Sequence, residues 1–252
     1  GHPFDSDLVV EEGGVVKAFD YKSNDRTTYN YKNLVNAGVM IFSPSVFKYL
    51  TELRKYNYEK DIIVPLINEG KVVSYKSSEY AKDMGTPERY RRVQEDYNSG
   101  ICDAKNLANK QKAIFLDRDG TINEYVGFLR KEEDFRLIPG VSEAIKKINN
   151  SGYLAIVVTN QPVIARGEVT EEKLEEIHKK METLLGLAGA YIDDIYYCPH
   201  HPDKGFEGEI PELKIECDCR KPKTGMLEKA AREHNIDLSS SIMIGDSTLD
   251  IK

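Results

Sequence analysis

Two aspartates one residue apart follow a short apolar run at residues 113–116. A run of this length that is bounded by turn residues is typical of a buried strand, so Asp117 is predicted to lie at its carboxyl end. Side chains two residues apart in extended backbone point the same way, so Asp117 and Asp119 are predicted to face one spot. Two carboxylates placed in this way repel each other unless a cation binds between them.

Other polar residues follow apolar runs later in the chain. They are Thr159, Asn160, Gln161, Gly245 and Asp246, and a basic loop with Arg220 and Lys221 lies between the two groups. If the runs form adjacent parallel strands, their carboxyl ends converge at one edge of the sheet. Carboxylates for a hard cation, a hydroxyl and N–H groups for phosphate oxygens, and a fixed ammonium together indicate a phosphoryl-transfer site.

Four potential metal ligands lie on either side of a long loop rich in glycine, proline and charge. Cys198 and His200 precede the loop, and Cys217 and Cys219 follow it. A loop of this length inside a compact domain needs a structural reason. Three thiols and an imidazole match a closed, structural zinc site. The alternative, disulfides or free thiols, is disfavoured in a cytoplasmic chain.

The composition predicts a globular chain with one large domain or two ordinary ones. It has 252 residues, of which 40% are hydrophobic, and a formal net charge of −7. This charge argues against nucleic acid and anionic membrane as partners. The sequence contains neither an apolar stretch of about 18 residues nor a signal-peptide pattern, so a cytoplasmic location is predicted.

Strand-like and helix-like runs alternate after residue 112, which predicts an α/β domain with a parallel sheet covered by helices on both faces. The predicted strands are 113–116, 153–158, 191–197 and 241–244. The predicted helices are 139–152, 170–186 and 224–236.

The first hundred residues predict a separate α/β unit. Gly13 and Gly14 between two apolar runs indicate a hairpin, and residues 37–42 are predicted to form a strand. Helices are predicted to begin at Ser43-Pro44 and at Thr86-Pro87. Apolar periodicity is lost from residue 98 to 112. The predicted domains are therefore 1–99 and 112–252, joined by a linker at 100–111.

The motifs DRDGT, VVTNQ, the lysine of CRKPK, and IGDSTLD resemble, in this order, the four motifs of the haloacid dehalogenase superfamily of phosphatases. The resemblance covers residues 112–252 and implies a Rossmann-like parallel sheet without a large cap domain. It implies that Asp117 is the nucleophile that forms an aspartyl-phosphate and that Asp119 is the general acid and base. Thr159 and Lys221 would hold the phosphoryl oxygens.

The same resemblance implies a catalytic magnesium ion held by Asp117, Asp246 and the backbone carbonyl of Asp119. The implied substrate contacts are Gly120, Thr121, Asn160, Gln161 and Arg220. Asp250 has two interpretations, a hydrogen bond within its own loop or a role next to the metal.

The segments CPHHP and CDCRKP look like the branch of the superfamily that contains heptose-bisphosphate and histidinol-phosphate phosphatases. His200 matches the zinc-ligand position of that branch, and His201 is the weaker candidate. The predicted function is magnesium-dependent removal of the 7-phosphate from D-glycero-D-manno-heptose 1,7-bisphosphate. Histidinol-phosphate phosphatase is the alternative, and an inactive module that binds sugar phosphates or nucleotide-sugars is an alternative of another class.

The segments NLVNAGVMIF, EKDIIVPLI and KDMGTPERY resemble the carboxyl-terminal part of sugar-1-phosphate nucleotidyltransferases. By that resemblance Asn36, Glu59 and Lys60 would contact a sugar phosphate, and Asp83 would bind a metal. The glycine-rich nucleotide loop of that family is absent from this sequence, so nucleotidyl transfer is not expected. Such a neighbour favours heptose as the substrate, because the two reactions would be consecutive steps toward a nucleotide-heptose for cell-surface glycans.

The superfamily has one more strand and helix after its fourth motif, whereas this sequence ends at Lys252. The strand at 241–244 is therefore expected to be a bare sheet edge through which the chain could self-associate.

Overall fold

The computed structural model describes residues 6–251, which form six strands and six helices. The strands are β1 Leu8–Glu12, β2 Val15–Asp20, β3 Lys112–Leu116, β4 Tyr153–Asn160, β5 Asp194–Cys198 and β6 Ile242–Ile244. The helices are α1 Val64–Asn68, α2 Pro87–Asn98, α3 Ile101–Ala104, α4 Val141–Asn149, α5 Glu171–Leu187 and α6 Gly225–Glu233. A π-helix lies at Glu59–Ile63, and 3₁₀ turns lie at Pro44–Tyr49, Glu132–Asp134, Pro211–Leu213 and Leu238–Ser240.

The main sheet has four strands in the spatial order β5-β4-β3-β6. All three neighbouring pairs are parallel. Helix α4 lies between β3 and β4 in the chain, and α5 lies between β4 and β5. The predicted parallel α/β fold is therefore confirmed for this half of the chain. The three predicted helices form within three residues of their expected ends.

Two apolar clusters lie against the two faces of this sheet. Ile145 of α4 and Met181 of α5 belong to one cluster, and Met226 of α6 belongs to the other. Strand β3 contributes Leu116 to the first and Phe115 to the second. Consecutive strand residues point to opposite faces, so one short apolar run supplies both cores. Burying a side chain such as Phe115 contributes about 1.5–3 kcal/mol.

Strand β6 lies at one edge of the sheet and pairs only with β3 among the described residues. Its Ile242 and Ile244 side chains are 50% and 44% exposed. The predicted position of this strand is confirmed. Self-association through it stays a prediction.

The amino-terminal part contains the predicted hairpin and the predicted helix start at Thr86, whereas the helix predicted from Ser43 is a short 3₁₀ helix at Pro44–Tyr49. One predicted strand is wrong. β1 and β2 pair around Gly13 and Gly14, and Thr86 caps α2 by accepting a hydrogen bond from the Arg89 N–H. Residues 37–42, in contrast, form no strand. Val39 and Ile41 are 82% and 99% exposed. A strand needs a partner for its backbone groups, and no described strand lies beside this segment.

The predicted linker is packed against the half of the chain that contains the parallel sheet rather than free. It contains α3, and Lys105 and Gln111 are only 5% and 1% exposed. Lys105 donates to the Tyr191 hydroxyl at 3.0 Å, and the Gln111 N–H donates to the Asn235 carbonyl at 2.9 Å. These contacts hold the start of β3 in place.

Residues 31–33, which we call the strap, lie along helix α5. The Tyr31 N–H donates to the Thr183 hydroxyl at 2.8 Å, and the Asn33 N–H donates to the Glu182 carboxylate at 3.2 Å. Lys32 forms an ion pair with Glu175. The strap thus connects the amino-terminal part to a helix of the main sheet.

The stability of the folded chain is expected to decrease as the pH rises, because Glu182 is buried where the strap meets α5. Burial raises the pKa of Glu182 from 4.5 to about 7, so between these values the folded chain holds a proton that the unfolded chain releases. The contribution of Glu182 to stability is fully present below pH 4.5, is lost as the pH rises through about 7, and stays lost above that. Glu182 is half-buried, so solvent screens part of the effect, and the penalty at pH 8 is about 2 kcal/mol. Urea unfolding of Glu182→Gln should therefore show a stability gain at pH 8 that vanishes near pH 4. An equal gain at both pH values would contradict this assignment.

Candidate active site

Asp117 lies directly after β3, where the sheet positions its carboxylate. Its N–H donates to the Ile244 carbonyl of β6 at 2.9 Å, which extends the ladder by one residue. Its Oδ1 lies 2.9 Å from Lys221 Nζ. Burial raises the pKa of Asp117, and the Lys221 ammonium opposes that shift. The carboxylate is thus partly desolvated beside a fixed cation, a suitable state for a nucleophile.

Lys221 is held both at its ammonium group and at its backbone. Its Nζ also lies 2.6 Å from Asp250 Oδ1, and Lys221 is only 8% exposed. The amide of Asn160 accepts from the Lys221 N–H at 3.0 Å and donates to its carbonyl at 3.2 Å. The ammonium is therefore fixed beside Asp117. In this structure Asn160 contacts the backbone of the lysine loop.

Asp250 contacts both its own loop and Lys221. Its Oδ2 accepts from the N–H and hydroxyl of Ser247 at 3.0 and 2.9 Å, while its Oδ1 pairs with Lys221. The loop hydrogen bond expected from the sequence is present. The ion pair with Lys221 was not anticipated from the sequence, because nothing in the spacing shows that these loops meet.

Three carboxylates form a group that fits a hard cation. Oxygens of Asp117, Asp246 and Asp250 lie within 4.8 Å of one another. Gly120 makes room for this group, because a Cβ built on it would lie 2.1 Å from Asp246 Oδ2. Its φ of +83° is also one that glycine adopts readily. Carboxylate oxygens so grouped suit Mg²⁺.

Asp119 is held by three neighbouring side chains. Arg118 Nη2 donates to its two oxygens at 3.0 and 2.8 Å. Asn123 Nδ2 donates to Oδ1 at 3.0 Å, and Gln161 Nε2 donates to Oδ2 at 2.9 Å. Arg118 and Asn123 were not among the predicted site residues. A charged residue that continues a buried strand is the sequence signal that could have indicated Arg118.

The end of β4 places Thr159 and Gln161 beside Asp119. Thr159 is 1% exposed, and its Oγ1 accepts from Gln161 Nε2 at 2.9 Å. Gln161 is 2% exposed, so in this structure its amide contacts protein groups. The Gly120 and Thr121 N–H groups donate to Asn123 and Arg118 carbonyls within the turn. The three predicted substrate contacts Gln161, Gly120 and Thr121 therefore contribute hydrogen bonds inside the protein here.

The four predicted zinc ligands lie in one cluster. Cys219 Sγ is 3.1 Å from Cys198 Sγ and 3.3 Å from Cys217 Sγ. His200 Nδ1 is 3.3 Å from Cys219 Sγ and 3.7 Å from Cys198 Sγ. Ligand atoms around a tetrahedral Zn²⁺ lie about 3.3–3.8 Å apart, given the usual bond lengths. The set fits zinc. Burial raises the pKa of the Cys198 thiol, and a bound cation would reverse that shift.

His201 is not part of this cluster. Its Nδ1 accepts from the Asp203 N–H at 3.2 Å, whereas His200 lies among the thiols. The next residue after the cluster, Arg220, donates to the His200 carbonyl at 3.3 Å. The metal-binding loop and the Arg220-Lys221 segment are thus directly connected.

Comparison with known proteins shows which family this chain belongs to. The sequence profile of the Polynucleotide kinase 3 phosphatase family matches residues 112–250. The chain belongs to this family. The matched residues contain the carboxylate group, Lys221 and the Cys/His cluster, so every element of the candidate site lies in the Polynucleotide kinase 3 phosphatase region.

Individual relatives agree with this membership. A D-glycero-beta-D-manno-heptose-1,7-bisphosphate 7-phosphatase from Haemophilus influenzae is 44% identical over 142 residues, which are 56% of this chain and 74% of the relative. A D-glycero-alpha-D-manno-heptose-1,7-bisphosphate 7-phosphatase from Photorhabdus laumondii is 44% identical over 143 residues, 57% of this chain and 76% of the relative.

A solved structure from Mesorhizobium loti, described as a HAD-like phosphatase, is 32% identical to this chain. It has a TM-score of 0.52 and covers 56% of this chain and 66% of its own. This likeness confirms the predicted haloacid dehalogenase-like fold. Within residues 6–251, none of the helices combines the length and the apolar character that crossing a bilayer requires.

Three cationic side chains, Arg166, Lys214 and Arg220, lie near His201 of the Cys/His loop, and we call them the cationic wall. The Arg166 guanidinium stacks between Phe128 and Phe206, 4.1 and 4.4 Å from their ring centroids. Its Nε is buried without a hydrogen-bond partner among the described residues. Lys214 Nζ lies 4.5 Å from the Phe206 ring and 3.5 Å from Glu209. Arg166 was missed by sequence reasoning, because a lone arginine in a loop is not distinctive.

The four residues predicted from the nucleotidyltransferase resemblance have local roles in this structure. Asn36 accepts from the Gly38 N–H at 3.0 Å, and Asp83 accepts from the Gly85 N–H at 2.8 Å. Glu59 and Lys60 lie in the π-helix. Among the described residues, Asp83 belongs to no group of three or more metal ligands. Asn36 and Asp83 thus make the turn contacts that such residues make in any loop.

Proposed function

We propose that this chain is a magnesium-dependent phosphatase that removes the 7-phosphate from a D-glycero-D-manno-heptose 1,7-bisphosphate. The observation that carries the proposal is the Lys221 ammonium fixed beside the partly buried Asp117 carboxylate, next to a carboxylate group that fits Mg²⁺. The family membership and the names of the relatives support the reaction and the sugar. The names of these relatives include both the alpha and the beta anomer of the sugar, so the proposal covers either anomer.

In the first step an Asp117 oxygen attacks the phosphorus of the 7-phosphate. The new O–P bond forms as the bond to the sugar oxygen breaks, and Asp119 gives its proton to that oxygen. The products of the step are the free sugar hydroxyl and an aspartyl-phosphate. Lys221 and the Thr159 hydroxyl stabilise the charge on the phosphoryl oxygens.

In the second step water attacks the aspartyl-phosphate. The ionised Asp119 takes a proton from the water as its oxygen bonds to phosphorus, and the Asp117–phosphorus bond breaks. Inorganic phosphate leaves, and both aspartates return to their starting forms. Two easier steps replace one difficult displacement.

Asp117, Asp246 and the Asp119 carbonyl would hold Mg²⁺ in this site. When bound, the ion offsets the charge repulsion between a carboxylate nucleophile and a phosphate dianion. The Cys/His cluster would hold a structural Zn²⁺ that anchors the loop preceding Arg220 and Lys221.

The cationic wall supports a substrate with a second phosphate. Arg166 and Arg220 form no ion pair with a carboxylate among the described residues, so they are available to an anion. Histidinol phosphate, the alternative substrate, carries an ammonium group where a heptose bisphosphate carries another phosphate. We propose that these cations face the second phosphate of the substrate, which would favour the bisphosphate.

The amino-terminal part is proposed to be a fragment of a sugar-1-phosphate nucleotidyltransferase, with domain limits of 1–99, 100–111 and 112–252. This neighbour supports a place in the making of a nucleotide-heptose. The strap contact of Tyr31 with Thr183 and the linker contact of Lys105 with Tyr191 support a fixed attachment of this part to residues 112–252. The competing proposal of an inactive binding module requires that the assembled site catalyse nothing.

Phosphate release separates these proposals. Heptose bisphosphate, histidinol phosphate and an aryl phosphate are assayed side by side, each with Mg²⁺ and with excess chelator. The proposal expects magnesium-dependent release that is fastest, by kcat/KM, from heptose bisphosphate. Preference for histidinol phosphate would support the alternative substrate. No phosphate release from any ester in the presence of magnesium would contradict the phosphatase proposal and support the inactive binding module.

Replacing Arg166 by methionine is expected to raise the KM for heptose bisphosphate about tenfold, because the charge is lost while the contact with both rings is kept. The KM for the aryl phosphate, which lacks a second phosphate, should change less than twofold. Arg130→Met is the matched control, because Arg130 already pairs with Glu168. Equal changes in KM for the two esters would show that Arg166 does not contact the second phosphate.

A further inference from the structure

We propose that His178 of helix α5 is a positioning residue, which acts through Arg118 to hold the Asp119 carboxylate in its place for proton transfer. This inference rests on the proposed function, because it concerns the general acid of that reaction. It is carried by a continuous line of contacts from a helix in the core to the active site.

The Arg118 side chain is enclosed by protein. It is 0% exposed, although it lies between the two aspartates of the site. Its Nη2 contacts both oxygens of Asp119 and also donates to Gln161 Oε1 at 3.0 Å. Its Nε lies 3.3 Å from Asp119 Oδ1. Two nitrogens of the guanidinium group, Nε and Nη2, are therefore used in hydrogen bonds to Asp119 and Gln161.

His178 provides a hydrogen-bond partner for the third guanidinium nitrogen of Arg118, Nη1. Arg118 Nη1 lies 3.3 Å from His178 Nε2, and this is the hydrogen bond that Nη1 makes within residues 6–251. The ring is 3% exposed and lies 5.9 Å from the Tyr197 ring, measured between centroids. Burial and the Arg118 charge keep the pKa of His178 well below its ordinary value. The imidazole is neutral, so Nε2 can accept the hydrogen bond from Arg118.

Loss of this acceptor would leave a buried guanidinium N–H without a partner. An unpaired buried donor is costly, and the planar fork can relieve the cost by rotating toward another acceptor. Rotation would move Nη2 away from the Asp119 oxygens. The expected consequence is a misplaced carboxylate in an otherwise intact site.

The leaving group distinguishes this role from a merely structural one. The value of kcat/KM reports the step that forms the aspartyl-phosphate, in which Asp119 protonates the departing oxygen. A sugar alkoxide needs that proton, whereas a nitrophenolate leaves without it. Misplacing Asp119 should therefore lower kcat/KM for heptose bisphosphate much more than for p-nitrophenyl phosphate.

The matched variants are His178→Gln and His178→Asn. The glutamine amide reaches about as far as Nε2 and can accept from Arg118, whereas the asparagine amide stops one carbon short. We expect the ratio of kcat/KM for heptose bisphosphate to that for p-nitrophenyl phosphate to fall about tenfold or more in His178→Asn. The glutamine variant should retain the ratio of the unmodified enzyme within about twofold.

Glu176→Gln, on the exposed side of α5, is the surface control, and thermal unfolding shows whether each variant is folded. If His178→Asn does not fold, His178→Leu replaces it, since leucine fills the space without an acceptor. A ratio that stays unchanged in the variant lacking an acceptor, whether activity is kept or falls equally on both esters, would overturn the proposal. So would an equal loss of the ratio in His178→Gln. Activity of the unmodified enzyme on both esters tests the proposed function separately.

Discussion

Asp117→Asn is expected to abolish phosphate release, by about 10³-fold or more, while the fold stays intact. An amide oxygen is a poor nucleophile toward phosphorus and cannot supply the negative charge that a Mg²⁺ ligand provides. The fold should persist because the substitution is isosteric and the Asp117 N–H still donates to Ile244. Lys221 retains its ion pair with Asp250. The measurement is phosphate release with Mg²⁺, alongside thermal unfolding.

Two observations sharpen this prediction. Intact mass after rapid acid quenching should show a gain of one phosphoryl group in the unmodified enzyme and none in Asp117→Asn. Asp203→Asn is the matched control, because Asp203 is 75% exposed and lies outside the carboxylate group. Near-normal turnover of Asp117→Asn in a folded sample would remove the nucleophile assignment.

Elemental analysis is expected to find one zinc per chain, and none in the double variant Cys217→Ser, Cys219→Ser. Zinc in a closed site of this type contributes about 10 kcal/mol of binding free energy. Its loss frees the long loop that follows Cys198 and removes the anchor before Arg220 and Lys221. We therefore expect kcat/KM to fall about tenfold or more, together with a lower unfolding temperature.

Cys102→Ser is the control for this change. Cys102 lies in the linker and is not one of the clustered ligands, so the variant should keep its zinc and its activity. Full zinc in the double variant would mean that the ligands lie elsewhere. An unmodified enzyme that contains no zinc and still has full activity would show that the cluster is a set of free thiols.

Much of the candidate site could be predicted because its residues occupy strand ends. In a parallel sheet the carboxyl ends of neighbouring strands meet at one edge, so Asp117, Thr159 and Asp246 converge once their strands are recognised. The clustering of the predicted zinc ligands could be predicted for a similar reason. Two close pairs, Cys198 with His200 and Cys217 with Cys219, need only one loop to return on itself.

The predicted strand at residues 37–42 was wrong because the local pattern does not contain the partner. Val39 and Ile41 belong to a continuous apolar run of the kind that forms a buried strand. Their side chains are nevertheless exposed. An apolar run becomes a strand when another strand satisfies its backbone groups. That condition depends on the rest of the molecule.

By itself, the sequence determined the order of strands and helices in residues 112–252 and two groups of side chains that lie together. These groups are Asp117 with Asp246 at the strand ends, and Cys198, His200, Cys217 and Cys219, and both depend on local pattern and on where strand ends or a loop return to one place. Only the tertiary structure decided which side chains hold them. Arg118 beside His178, Asp250 on Lys221, and the strap on α5 join residues that are from 29 to 152 positions apart. Such contacts are selected by the packing of whole elements, because a hydrogen bond or ion pair forms only where two groups meet at the correct distance and angle.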